Sequence, residues 1–355
     1  MTLAAASSSL PGRMRAAVYQ GKRQLSVEER PLPELGAHGA LIEVSHCGIC
    51  GTDLHMVLEG MGRPGAIGGH EYSGRIAALG SEVRGWSVGE AVVGGPEARC
   101  GRCVHCRSGR SSLCLERAGV GGRDFQGAFA EYVRVDASQL LRIPEGLALR
   151  AAALTEPLAV ALHGITLSRV APGARALVTG AGPLGLLTVA ALRAQGVEDV
   201  RVTEPAPARR ERAAKLGARR VLEPEALEVP VMPFALVDDP VDVVLECSGN
   251  PAAMESGLAQ LRRAGTLVFV GTGMRRPRLD HNRILLNELV VTGAFCYDDD
   301  GCAAALALLA SGRLDSETLL EAAEVPLGGM LAALEELEAG RLAAKVMVVP
   351  RKESP

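Results

Sequence analysis

Aromatic side chains are scarce in this chain: Trp, Tyr and Phe together make up 3% of 355 residues, with a single tryptophan. Single-stranded nucleic acid is gripped by stacking its bases on such rings, so the scarcity argues against that class of partner. A dominant charge is also missing, because 38 basic residues face 41 acidic ones and leave a net charge of −3. No field is therefore available to hold nucleic acid or an anionic membrane surface. No apolar run approaches the roughly 18 residues that cross a bilayer, and no internal repeat or low-complexity linker interrupts the chain. What remains is a globular chain, 48% apolar, with Ala, Val, Leu and Gly in place of aromatics as core formers. The length suggests two domains, and the expected partner is a small molecule.

Met1–Gly12 has neither the basic start nor the apolar centre of an export signal and reads as a disordered lead-in, with folded structure beginning near Met14. Nine cysteines without an export signal suggest a reducing compartment, where thiols serve as metal ligands, nucleophiles or core residues more often than as disulfides. A cytoplasmic location is the resulting expectation.

The chemistry concentrates in His46-Cys-Gly-Ile-Cys50-Gly-Thr52-Asp53-Leu-His55 and in Gly68-Gly-His70-Glu71 about twenty residues on. A zinc acting as a Lewis acid takes about three protein ligands and keeps one position open. Cys50 and His70 suit two of those places. Asp53 could accept the spare ring proton of His70 and fix its tautomer, while Thr52 and His55 could pass a proton outward. Cys47 and Cys50 also form a CxxC, but no thioredoxin-like pattern surrounds it.

A second set follows at Cys100, Cys103, Cys106 and Cys114. Four thiolates from one short loop make a closed tetrahedral zinc site that holds together a segment too polar to fold alone; an iron–sulfur cluster is the other centre that takes four cysteines. His105 lies inside the loop, but the thiols complete the shell without it.

Around these sets, short alternating runs at Arg15–Tyr19, Ala40–Val44, Gly74–Gly80, Gly89–Gly94 and Phe125–Val133 predict strands of a compact β-rich domain. A helical stretch opens near Ala151 and runs through His163. Glu156, within it, is either a carboxylate favoured by a helix start or the third ligand of the first metal set; local chemistry leaves both open.

A nucleotide unit comes next. Ala174–Thr179 predicts a buried strand, Gly180-Ala-Gly182-Pro183-Leu184-Gly185 a tight turn, and Leu186–Gln195 a helix. The glycines admit a pyrophosphate to the backbone, and the helix start offers it free amides. Glu204 ends the next strand, nineteen residues beyond Gly185, where a carboxylate binds ribose hydroxyls and repels a 2′-phosphate. NAD is therefore expected over NADP. Arg209 and Arg210 just beyond could instead meet a phosphate, or be solvated residues of the following helix. Further strands are predicted at Arg219–Leu222, Val241–Glu246, Thr266–Val270 and Glu288–Thr292, with helices at Arg209–Leu216 and Ala252–Ala264, giving a six-stranded doubly wound sheet. Helices are also predicted at Cys302–Ala310 and Met330–Ala339, and a final strand at Ala344–Val349 could rejoin the first domain.

Taken together, Gly48–His55, Gly69-His70-Glu71, the four-cysteine loop, Glu156-Pro-Leu and Gly180–Gly185 resemble the zinc-dependent medium-chain dehydrogenases, in order and spacing, from about Met14 to Pro350. The resemblance implies an α/β protein with a GroES-like β-rich catalytic domain over 14–160 and 295–355, an inserted Rossmann domain over 161–294, and an active site between them. It implies two zinc ions per chain, one structural and one catalytic, the latter held by Cys50 and His70 with Glu71 and Glu156 as carboxylates that complete or exchange in its shell. Lys345 falls where the family often turns a basic residue toward the cofactor phosphates.

By the same resemblance, a zinc-polarised alcohol would lose its proton through Thr52 and His55 and pass hydride to NAD. A homo-oligomer, dimer or tetramer, is expected. Gly51 matches the polyol and threonine dehydrogenases. Cys296, however, stands where sorbitol dehydrogenases carry Arg, and Gly94-Gly-Pro-Glu97 lacks the Gly-Glu-Gly-His run of threonine dehydrogenases. The expected substrate is a secondary alcohol within a polyol, diol or sugar-like molecule. Two other readings are a non-catalytic nucleotide sensor or scaffold, which loss of Cys50, His70 or the glycine turn would favour, and an enone or quinone reductase of the same fold, which would lack both metal sets. None of these residues is missing.

Overall fold

A computed structural model describes residues 10–94, 99–117 and 126–351. Most of the expected lead-in, Gly95, Pro96 and Glu97 of the Gly94–Glu97 run, and Phe125 lie outside the described residues.

The first part of the chain forms β1 (Arg13–Gly21), β2 (Gln24–Pro31), β3 (Gly39–Gly48), α1 (Gly51–Leu58), β4 (Glu71–Leu79), β5 (Ala91–Gly94), α2 (Val104–Arg107), β6 (Tyr132–Asp136), β7 (Leu140–Arg142), α3 (Leu149–Ala152) and α4 (Thr155–Ser168). The nucleotide unit follows as β8 (Arg175–Thr179), α5 (Pro183–Ala194), β9 (Asp199–Thr203), α6 (Pro207–Lys215), β10 (Arg220–Leu222), β11 (Val241–Glu246), α7 (Pro251–Ala259), β12 (Leu261–Phe269), α8 (His281–Leu286) and β13 (Val290–Gly293). The chain closes with α9 (Gly301–Ala310), α10 (Ser316–Leu319), α11 (Met330–Glu338) and β14 (Met347–Val348).

β3 is the hub of the β-rich lobe, in an antiparallel path β14-β3-β4-β5-β7 with β6 also on β3. Register at its far end decides where the site forms. Gly48 lies opposite Met347 of β14 on one side and Glu71 of β4 on the other. Three remote segments are thus brought to the end of one strand, and the predicted return of the C-terminus to the first lobe is realised there. The expected strand over Phe125–Val133 begins only at Tyr132, because the backbone before it bonds elsewhere: Gly127, Ala128 and Phe129 donate to Ile67, Gly69 and Gly68. Those bonds fix the turn that delivers His70.

The nucleotide lobe is a six-stranded parallel sheet in the order β10-β9-β8-β11-β12-β13. Its strands are apolar because helices cover both faces; Val178, Val202, Leu245 and Val268 are buried among α4 and α5 residues such as Leu158 and Leu187. The helix predicted over Ala252–Ala264 stops at Ala259, and the chain enters β12 at Leu261. Pairing of the buried Leu261 with Val241 overrides helical propensity there.

Candidate metal centre and nucleotide crevice

Cys50 caps α1. Its backbone N–H donates to Asp53 Oδ2 at 2.8 Å and its side chain accepts from the backbone of the third helical residue, a reciprocal cap that orients both side chains. One Asp53 oxygen is thereby committed to its own helix, while the carboxylate stays within electrostatic reach of His70. His70 Nδ1 is buried without a hydrogen-bond partner among the described residues, so the expected Asp53–His70 bond is not made. His70 follows Gly69, whose φ of 91° and whose closeness to Phe129 N and Cys47 Sγ exclude a side chain.

Cys50, His70 and Glu71 each bring a ligand atom to within 4.8 Å of the others. Glu71 Oε1 accepts from Lys345 Nζ at 2.7 Å, while Glu71 Oε2 is buried with no hydrogen-bond partner among the described residues. Glu156, in the first turn of α4 and buried, lies within electrostatic reach of His70 and Lys345 but outside that triad. Burial alone would lower the pKa of His70, but Cys50, Asp53 and Glu156 carry it well above its ordinary value. A pocket that holds this much negative charge against desolvation is built for a cation. A thiolate, an imidazole and an uncommitted carboxylate oxygen suit zinc with one open position.

Thr52 Oγ1 lies 3.7 Å from Cys50 Sγ, beside the donor set. His55, one turn along the same helix, bonds Glu59 Oε2 through Nδ1 at 2.9 Å. Lys345 corrects its expectation most clearly. It is buried, donating to Glu71 and to Ile49 O at 3.0 Å, and so braces a metal-side carboxylate instead of facing cofactor phosphates.

The four thiols of Cys100, Cys103, Cys106 and Cys114 also gather within 4.8 Å. Cys100 and Cys106 Sγ are 3.9 Å apart, close to the edge of about 3.8 Å for sulfurs 2.3 Å from a central zinc. Backbone amides point at the sulfurs, from Cys103 to Cys100, Cys106 to Cys103 and Cys100 to Cys114. Those from Cys106 and Leu115 bring the Cys103 thiol down to about 6, while burial and the neighbouring thiols push Cys106 up to about 12, so the set sheds its protons unevenly. The lobe is thus prepared for thiolate coordination.

In the crevice at the carboxyl ends of β8, β9 and β11, Gly180 (φ 88°) starts the turn, and a Cβ on Gly185 would lie 1.9 Å from Gly180 O. Pro183 opens α5 behind Gly182, and Leu184 packs on the core. Buried Glu204 accepts from Ala181 N at 2.7 Å and Ala206 N at 3.0 Å, bracing the turn from the next strand. Arg209 donates to Leu337 O and Leu342 O and lies 3.9 Å from Glu204 Oε1, so its guanidinium is committed to the other lobe. Arg210 folds back on Glu204 O and Pro205 O. Glu246, which the sequence did not single out, ends β11 fully buried and accepts from Ser248 and Gly249 N–H groups. Its position at a strand end, matching that of Glu204, was the available signal.

Residues 36–145 match the alcohol dehydrogenase GroES-like domain and residues 183–311 the zinc-binding dehydrogenase family. The sorbitol dehydrogenase of Bacillus subtilis (strain 168) is 36% identical over 88% of this chain and 90% of its own length. A putative zinc-binding dehydrogenase from Sinorhizobium meliloti 1021, solved bound to NADP, superposes with a TM-score of 0.85 at 32% identity, covering 96% of this chain and 100% of that one. The 2R,3R-butanediol dehydrogenase of Bacillus subtilis gives a TM-score of 0.84 at 29% identity, covering 95% and 100%.

Proposed function

The chain belongs to the zinc-dependent medium-chain dehydrogenase family, and from that premise we propose that it interconverts a secondary alcohol of a polyol, diol or sugar-like molecule and its ketone with NAD(H). The observation that carries this reading is the triad Cys50, His70 and Glu71, with Glu71 Oε2 left without a hydrogen-bond partner among the described residues. The sorbitol and butanediol dehydrogenases among its relatives support the substrate class.

When bound, zinc supplies Lewis-acid polarisation of the substrate oxygen and the nicotinamide supplies the hydride acceptor. The chain's own residues do the rest. Cys50, His70 and Glu71 hold the first metal, Lys345 steadies Glu71, and the four cysteines hold the second. Thr52, next to Cys50 Sγ, receives the alcohol proton and passes it through a relay toward His55 and water. Gly180, Gly182 and Gly185 admit the pyrophosphate to the start of α5. Glu204 selects against a 2′-phosphate, and the engagement of Arg209 with Leu337 and Leu342 withholds the nearest guanidinium from one.

A homo-oligomer is supported by the outer edge of β13, where Val290 is half exposed. A cytoplasmic site of action is supported by nine cysteines of which none is joined in a disulfide; no helix among the described residues is long and apolar enough to cross a membrane.

The test is a panel of polyols, diols, amino alcohols and simple alcohols assayed with NAD and NADP, alongside Cys50→Ser. The expected result is NAD-linked oxidation of vicinal secondary alcohols that Cys50→Ser abolishes while still binding NADH. Undiminished turnover in Cys50→Ser, or a wild type that prefers NADP, refutes the reading.

A further inference from the structure

The strap that follows β13, Phe295-Cys-Tyr-Asp298, is held in an unusual way. Cys296 occupies the left-handed region at φ 50°, a conformation a non-glycine residue keeps only when its surroundings impose it. The turn sends Tyr297 inward, where the ring is buried with Cys302 nearby and within electrostatic reach of Glu156, the carboxylate next to the metal triad. It sends Asp298 toward the tetrathiolate lobe. Asp298 Oδ1 accepts from Ser112 N at 2.8 Å, and Oδ2 lies 3.6 Å from Arg110 Nε and 3.8 Å from His163 Nδ1. Arg99, one residue before Cys100, sits over the Tyr297 ring at 5.6 Å and bonds Ser111 Oγ at 3.1 Å.

Every lobe residue in this clasp is within four positions of a zinc-set cysteine. Residues 111–113 form the short 3-10 turn that leads directly into Cys114. Among the described residues, Ser112 Oγ and His163 Nε2 are buried with no hydrogen-bond partner, and Arg110 Nε meets Asp298 at ion-pair distance without a hydrogen bond. Unpaired buried polar atoms cost stability, and a fold tolerates them where an arrangement serves more than packing.

We propose that Asp298 is a positioning residue for the alcohol site: it transmits the rigidity of the tetrathiolate lobe to Tyr297, so that the second metal fixes the wall of the substrate site opposite Glu156. This rests on the reading of Glu156 and the metal triad as the reacting centre. The lobe has little apolar content of its own, and its ordering comes from metal coordination. Beside the Arg99 contact on the ring itself, Asp298 is a side chain through which that order reaches Tyr297, where a displacement of about 1 Å can cost on the order of a hundredfold in rate.

The experiment uses the metal-loaded full-length protein and the variants Asp298→Ala and Asp298→Asn. The readouts are metal content, NADH affinity, alcohol KM and kcat, and the alkylation rate of Cys302 followed by peptide mass spectrometry. Asp298→Ala should keep both metals and an NADH Kd within about twofold of wild type, while alcohol KM rises roughly tenfold or more and Cys302 alkylates faster. Asp298→Asn, which retains the acceptor for Ser112 N–H, should recover part of both effects. If Asp298→Ala does not fold, Arg110→Ala loosens the same clasp from the lobe side and is read identically. Wild-type KM and Cys302 reactivity in the folded variant overturn the proposal, as does parallel loss of metals and NADH binding. Absence of any alcohol turnover in the wild type would sink the proposed function instead; the Cys302 rate would still report on the clasp.

Discussion

Glu71 faces two environments with its two oxygens. Oε1 accepts from a buried lysine and Oε2 is left for a ligand, which holds one carboxylate oriented and half available. Gly182 is a comparable case in the nucleotide crevice. A Cβ there would meet nothing within 4 Å in the protein, and the backbone is unstrained, whereas one at Gly185 would strike Gly180 O. Gly182→Ala should therefore fold with an unchanged melting temperature yet bind NADH roughly tenfold more weakly or worse, a loss of about 1.4 kcal/mol, because the methyl group occupies the approach of the pyrophosphate. Fluorescence titration beside a thermal melt checks this; unaltered affinity would show that the cofactor does not approach that turn.

Elements whose signal is local were legible from the residues. The strand, glycine turn and helix from Arg175 to Ala194, the four-cysteine spacing and the Cys50 and His70 pair all carry their chemistry within a short window. What escaped depends on contacts across many residues. The α7–β12 handover is decided by pairing with β11, the burial of Lys345 by the register of β14 on β3, and the role of Asp298 by a lobe nearly two hundred residues earlier. Strand β9 adds a further case. Buried Arg201 makes a two-pronged pair with Asp199 at 3.1 and 3.0 Å and reaches Asp239 O at 2.8 Å, at the sheet end away from Glu204. The Arg201 bonds hold the Asp199 carboxyl below its usual 3.8. Since the folded value lies beneath the unfolded one, this stabilisation is complete above about pH 4 and fades as pH falls through the folded value. Arg201→Ala should cost about 1.5–3 kcal/mol at pH 7, without change in NADH affinity. In urea melts the gap from wild type should narrow below pH 4; a gap that stays constant into acid would remove the ion pair as its cause.

Over the whole molecule, the two lobes are joined at Glu321. Its Oε2 pairs with Arg212 of α6 at 3.1 Å, and Arg212 also donates to Thr318 O and Leu320 O. Its Oε1 accepts from Ala343 N and Ala344 N, both at 2.8 Å. The residue after Ala344 is Lys345, whose backbone carbonyl accepts from Glu321 N and whose ammonium holds Glu71. One carboxylate therefore joins a nucleotide-lobe helix to the strand segment that steadies a metal ligand. Partners of ligands are worth about ten- to a hundredfold in metal affinity, and Glu321 stands one step further out. Glu321→Ala should thus weaken the Cys50–His70–Glu71 centre by roughly tenfold in chelator competition while leaving the tetrathiolate metal in place, because nothing in the clasp at Asp298 touches Glu321. Glu321→Gln, which can still accept from the two alanine amides, should keep most of that affinity even with the Arg212 ion pair gone. Equal loss from both metal sites would mean that the mutation only loosens the fold, and equal behaviour of Ala and Gln variants would place the effect in the ion pair with α6 and not in the seating of Lys345.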